Sequence, residues 1–184
     1  MTSRRALLQA SAALGTSLLL PACLHTPRRG AALQLTPAQV APHRVIREVA
    51  GPRPFRPAGF RVAHESLGDK QLIHHYGHGG CGVTLSWGTA RLALDHALAQ
   101  PHRQAAVIGC GAVGLATARL FQDHGFSVTI YADVLPPETV SNIAGALFAP
   151  SYLLDRDQQS EAFGAELARA VRFAHRRFQL LPDQ

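Results

Sequence analysis

The stretch from Gln104 to Pro150 constrains the fold more than any other part of the chain. An apolar run, Ala105-Ala-Val-Ile108, meets the turn Gly109-Cys-Gly111-Ala-Val-Gly114. A helix-compatible segment over Leu115–Phe121 follows, then a strand-like FSVTIY ending at Tyr131, and then Asp133. This order predicts a β–α–β crossover that binds a dinucleotide, because the first glycine permits a tight turn and the second lets backbone amides approach a pyrophosphate. The third allows helix and strand to pack closely. The helix is expected to begin near Ala112, with unpaired N–H groups and a positive dipole end facing the anion. Gly109, Gly111, Ala112, Val113 and Gly114 are therefore the expected phosphate cradle, and Asp133 is placed to accept hydrogen bonds from a ribose.

With 184 residues, 47% of them hydrophobic, the chain has material for one core with at most a small satellite. The net charge of +6 comes from dispersed arginines, Lys70 being the one lysine. No basic block alternates with aromatics, so no nucleic-acid partner is expected.

Residues 1–23 read as an address. Ser3-Arg4-Arg5 precedes an apolar stretch, Ala6 to Leu20, too short for a stable span. It resembles a twin-arginine export signal, and Leu20-Pro21-Ala22-Cys23 resembles a lipoprotein cleavage box. The expected location is the periplasm, or the membrane surface through a lipidated Cys23. Residues 24–42, rich in proline, alanine and threonine, read as a linker. The folded part, 43–184, is expected to open with a strand over His43–Ala50.

Gly51 to Pro57, GPRPFRP, has three prolines that hold the backbone extended and two arginines. A guanidinium held on such a strap suits bidentate capture of a carboxylate or phosphate, although a solvated turn is the plainer local reading. Gln71 to Trp87, QLIHHYGHGGCGVTLSW, carries glycines at 77, 79, 80 and 82 between a strand-like QLI and an alternating VTLSW. Such glycines permit positive φ and expose amides, as a loop against a ligand requires. Helical character then runs over Ala90–Leu98. His74, His75 and His78 complete no familiar metal-ligand spacing with Asp69 or Cys81, so no metal is expected and structural hydrogen bonding is their role. Cys81 and Cys110 lie in glycine turns and are expected to pack rather than to bridge. A last helix within 158–181 carries the apolar stripe Phe163, Leu167, Val171, Ala174 and Phe178, expected to face the core.

Three of these segments together resemble the D-amino-acid oxidase family. TVSNIAGALFAP (Thr139–Pro150) after Tyr131-Ala-Asp133, YGHGGCGVTLSWG (Tyr76–Gly88) and GPRPFRP (Gly51–Pro57) are similar to family motifs and cover about half the chain. Their order is altered: the second and third precede the glycine triplet here, as if the chain were circularly permuted through a short link at Ala99–Gln104.

The resemblance implies an α/β, Rossmann-like FAD-binding domain, a parallel sheet with flanking helices, made of a permuted flavin-contacting segment, 43–100, and a dinucleotide-binding unit, 104–150. The family's substrate domain would follow Pro150 and barely begins before Gln184, so it is expected to be largely missing. FAD would be held by the glycine cradle, by Asp133, and by Thr139, Ser141 and Asn142 near the phosphates. Val140 stands where members often have a further hydroxyl. Gly79, Gly80, Cys81, Gly82, Val83 and Thr84 would line the isoalloxazine, Cys81 replacing a frequent aromatic, and Arg53 would bind the substrate carboxylate. The implied reaction is oxidative deamination of a D-amino acid or related amine, with dioxygen, to an oxo acid, ammonia and hydrogen peroxide. Tyr76, Tyr131 and Tyr152 all belong to flavin-side segments, and none matches the family's substrate-side tyrosines. A non-catalytic or incomplete flavin-binding chain and a nicotinamide-dependent dehydrogenase are the alternatives.

Overall fold

The computed structural model describes residues 36–151 and 153–181. The expected signal, Cys23, and the first part of the linker lie outside the described residues, as do Tyr152 and Pro182. The chain divides into a unit ending at Ile46 and a unit running from Arg47. In the first, a 3-10 turn forms over Pro42–Arg44. No strand forms over His43–Ala50, a correction to the expectation, because Pro42 starts a turn there and no strand among the described residues supplies ladder partners.

The second unit is α/β. Strands β1 (Arg61–Leu67) and β2 (Lys70–Tyr76) form an antiparallel hairpin in which Leu67 faces Lys70 across Gly68-Asp69. Gly68 has φ 60°, the left-handed conformation that such two-residue turns need. Helix α1 (Gly82–Leu98) follows, then β3 (Gln104–Ile108), α2 (Ala112–Asp123) and β4 (Ser127–Tyr131). β3 and β4 pair in parallel, Gln104 with Ser127 through Ile108 with Tyr131, so the expected crossover is present. Helix α3 (Glu161–Leu180) closes the described chain, its N-terminus capped by Ser160 Oγ accepting from Phe163 N–H at 3.1 Å.

Helix α1 is the centre of the unit. It buries Thr84, Leu85, Ser86, Gly88, Thr89, Ala90, Leu92, Ala93, Leu94 and Ala97, more than one stripe can hold, because it is covered on several sides. Ala90, Ala93, Leu94 and Ala97 pack against Ala116, Leu120 and Phe121 of α2 and against Phe126. Leu85 and Leu92 pack with Phe60, Leu153 and Ala170, joined by Phe163, Leu167 and Val171 of α3. The stripe on α3 thus faces the core, as expected, with α1 as its partner.

The alternation of VTLSW is not a strand: α1 starts at Gly82. Over five residues a period of two and a period of 3.6 are hard to tell apart, and burial of Leu85, Thr89 and Leu92 on one face decides for the helix. The parallel pair is covered by helices on one face, where Ala105 and Val128 join the core. On the other, Ile108 (88% exposed) and Tyr131 (61%) are bare.

Candidate functional site

The two glycine-rich turns, about thirty positions apart, open into one cleft of about 2030 Å³. That exceeds the ~300–1,000 Å³ usual for small-ligand pockets and suits an extended ligand. Gly109, Gly111, Val113 and Gly114 line it from the first turn of α2, and Gly80, Cys81, Gly82, Val83 and Thr84 from the first turn of α1. Arg53 and Ser141 complete the set of expected residues that meet there. Gly79, Ala112, Asp133, Thr139 and Asn142 were expected to touch the ligand as well, and the cleft lining does not include them. Asp133 lies exposed beyond β4, while Thr139 Oγ1 donates to Asn142 Oδ1 at 2.8 Å, so these two satisfy each other across a 3-10 turn.

The α2 turn meets the demands placed on each glycine. Gly109 has φ +101° and nothing within 4 Å of where a Cβ would stand, so its open side faces the cleft. At Gly114 an added Cβ would overlap Gly109 O and lie 2.9 Å from its carbonyl carbon, so only glycine lets helix and strand approach. At Gly111 it would lie 2.9 Å from Ser141 Oγ. Ser141 Oγ accepts from Ala112 N–H at 2.9 Å. One helix-terminal amide expected to be free is therefore satisfied, and the Ser141 hydroxyl proton remains available to an anion in the cleft.

The α1 turn is built from Gly77, Gly79 and Gly80, all at positive φ. The proline strap aims Arg53 at it: Gly79 N–H donates to Pro54 O at 3.1 Å, and Arg53 Nη1 donates to Gly79 O at 2.9 Å. Arg53 lies so close over Gly80 that a Cβ there would stand 2.8 Å from Cζ. Among the described residues nothing else accepts from the guanidinium, which leaves its remaining N–H groups for a carboxylate. Arg56 is committed elsewhere, donating to Gly59 O at 2.6 Å and lying over the Tyr76 ring.

The N-cap residue of α1, Cys81, makes no side-chain cap bond, and the first turn of the helix, with its amides and positive pole, lies at the cleft. Thr84 Oγ1 donates to Leu147 O at 3.0 Å, and Cys81 Sγ to Ser151 O at 3.0 Å. These bonds draw residues 147–151 across the start of α1, a role no local pattern announces, since side chain and carbonyl are more than sixty residues apart. Ala146, at φ 53° on the cleft wall, is the one non-glycine residue at positive φ among those described. Among the described residues Cys81 and Cys110 are buried and form no disulfide, Cys110 Sγ donating to Val134 O at 3.0 Å, so these two pack as expected.

The histidines hydrogen-bond, also as expected. His74 pairs with Glu65 at 2.8 Å, His75 Nδ1 meets Thr117 Oγ1 at 3.1 Å, and His78 Nε2 meets Thr89 Oγ1 at 2.9 Å. Burial pushes His75 down to about 3, assisted by neighbouring His78, and burial alone pushes His78 down to about 4, so both are neutral near pH 7.

Residues 25–96 match the model of a family described as FAD dependent oxidoreductase. That segment, less than half of the chain, is thus similar to the FAD dependent oxidoreductase (DAO) family. A D-amino-acid oxidase of Streptomyces coelicolor is 45% identical over 67 residues, 36% of this chain and 20% of the relative. A D-amino-acid oxidase of Rubrobacter xylanophilus is 50% identical over 50 residues, 27% of this chain and 15% of the relative. A human D-aspartate oxidase is 47% identical over 66 residues, 30% and 19% respectively. The chain thus spans a fifth or less of the length of these relatives. No solved structure matches it.

The cleft fits the cofactor of that family. One helix N-terminus with a glycine cradle suits a pyrophosphate, and the second suits an electron-rich ring edge.

Proposed function

We propose that this chain is an FAD-binding, Rossmann-like unit of a D-amino-acid oxidase-type enzyme. The reaction is oxidative deamination of a D-amino acid or related amine to an oxo acid and ammonia, with dioxygen reduced to hydrogen peroxide. The observation that carries the reading is the single cleft shared by two glycine-rich turns, one matching a dinucleotide cradle and one lying within the matched family segment. Bound FAD supplies the two-electron acceptor. The chain's own residues bind and orient. The amides at Gly111, Val113 and Gly114 and the Ser141 hydroxyl would hold the pyrophosphate, and the start of α1 at Gly82–Thr84 would favour negative charge at the ring. Thr84 takes part through its backbone, its hydroxyl proton being committed to Leu147 O. Arg53 fixes a substrate carboxylate, and this orientation, rather than a strong base, is the protein's contribution to rate.

The motif order is read as a circular permutation. Leu98 ends α1 and Gln104 starts β3, and the five residues between form a compact link in which Arg103 Nη1 donates to Gln100 O at 2.7 Å. The leader is read as twin-arginine export with Cys23 as a lipid anchor. A second reading, a flavin-binding unit that does not turn over by itself, is favoured by the bare sheet face at Ile108 and Tyr131, since parallel sheets are ordinarily covered on both faces.

Anaerobic addition of a panel of D-amino acids and simple amines to the FAD-loaded protein tests the reading. Bleaching of the flavin absorbance by at least one member supports an oxidase. A flavin spectrum that no substrate changes supports the second reading.

A further inference from the structure

The mechanism above leaves His75 and His78 unused, yet both lie at the cleft and each is tied to a different helix. Thr117 Oγ1 is 2.8 Å from Val113 O, and Thr89 Oγ1 is 3.0 Å from Leu85 O, each the carbonyl one helical turn earlier. A hydroxyl has one proton, and a carbonyl can only accept. Were either proton given to the imidazole, two lone-pair oxygens would face each other at these distances. The threonine protons therefore go to the carbonyls, and the histidines must donate to the hydroxyls. His75 is thus protonated at Nδ1 and His78 at Nε2. His75 Nε2, shielded from solvent and without a partner among the described residues, is then a lone pair, which is less costly to leave unpaired than a buried N–H.

We propose that His75 and His78 are positioning residues, locked as opposite tautomers, that hold the two glycine turns in register around the cleft. His75 belongs to β2 and grips α2 at Thr117, one turn after Val113, which lines the cleft. His78 belongs to the Gly77–Gly80 turn and grips α1 at Thr89. The two rings meet edge to face with centroids 5.3 Å apart, and His78 is stacked on Phe60 at 5.8 Å. The path Thr89–His78–His75–Thr117 therefore links the two helices whose N-termini face the ligand. A shift of either turn breaks a hydrogen bond that only one tautomer can make. Neutrality of both rings near pH 7 keeps the Nδ1–H and Nε2–H assignments exclusive.

The importance of register for the ligand rests on the flavin reading above, whereas the tautomers do not. The experiment has two arms on the full chain. Nitrogen NMR of 15N-histidine-labelled wild-type protein at pH 7 is expected to give a protonated Nδ1 for His75 and a protonated Nε2 for His78. The second arm uses geometry: the Asn amide nitrogen mimics Nδ1, and that of Gln mimics Nε2. H75N and H78Q are expected to bind FAD within about threefold of wild type, and H75Q and H78N to lose about tenfold or more, the loss of one buried hydrogen bond. Equal loss in H75N and H75Q, or a reversed tautomer in the spectrum, overturns the proposal. If the variants fail to fold, the wild-type spectrum still decides the tautomers. Wild type that binds no FAD, with the tautomers as assigned, removes the flavin reading and the register role that rests on it, and leaves only the hydrogen-bond assignments standing.

Discussion

Replacing Gly88 by alanine is expected to be among the most damaging small changes in the unit, and replacing Gly164 by alanine mildly beneficial. Both glycines lie inside helices, where alanine is favoured by about 1 kcal/mol. At Gly164 an added Cβ meets nothing within 4 Å, so G164A should gain most of that amount. At Gly88 the Cβ would overlap Ala170 O and stand 2.5 Å from its carbonyl carbon and 2.7 Å from its Cα. Carbon atoms pack at about 3.5–4.0 Å, so α1 and α3 must part by roughly 1 Å. The obstacle is backbone, which cannot rotate away. Separation also loosens Leu85, Ala170 and Ala174, none more than 1% exposed. Overpacking of about 1–3 kcal/mol, with lost contacts added, outweighs the propensity gain and leaves a net loss of about 2 kcal/mol or more. Urea unfolding followed by far-UV circular dichroism measures both variants. A G88A midpoint equal to or above that of wild type would refute the close crossing of α1 and α3.

G114A is expected to lower FAD affinity about tenfold or more while keeping helical circular dichroism, because its Cβ invades the Gly109 carbonyl. Unchanged affinity would mean that the turn does not hold the pyrophosphate. R53M, which keeps much of the packing on Gly80, should cut kcat/KM for carboxylate substrates by about 10- to 100-fold, the worth of charged hydrogen bonds, with FAD affinity nearly unchanged. An equal loss with a substrate lacking the carboxylate would contradict that role. Acid should destabilise the protein early. The folded pKa values of His75 and His78, about 3 and about 4, lie below the unfolded 6.5, so the unfolded state takes up protons first. Stability is thus full above pH 6.5 and falls with acidification by up to about 1.4 kcal/mol per pH unit for each ring, until about pH 4 for His78 and about 3 for His75. A flat stability profile between pH 7 and 5 would contradict the burial of both rings.

The β3–α2–β4 crossover was legible in the sequence, because Gly109, Gly111 and Gly114 each answer a local steric demand. The stripe of α3 was legible too, since twenty residues make the 3.6 period plain. The start of α1 was not, as Val83–Trp87 alternates by chance and its helical burial depends on α3. Nor could local pattern reveal that Thr139 and Asn142 bond each other, that Ser141 satisfies the Ala112 amide, or that Cys81 and Thr84 hold residues 147–151. These are tertiary contacts between side chains and distant backbone, and neither spacing nor periodicity encodes them. The aim of Arg53 at the Gly79–Gly80 turn was half legible: the prolines stiffen the strap, but its direction is set by the bond from Gly79 N–H to Pro54 O.

Titration of the apo full chain with FAD, followed by the change in flavin absorbance and fluorescence, tests the flavin cleft most directly. Saturable binding of one FAD per chain, weakened in G114A, is the predicted result. A chain that leaves FAD unbound and takes up a nicotinamide dinucleotide instead would contradict it.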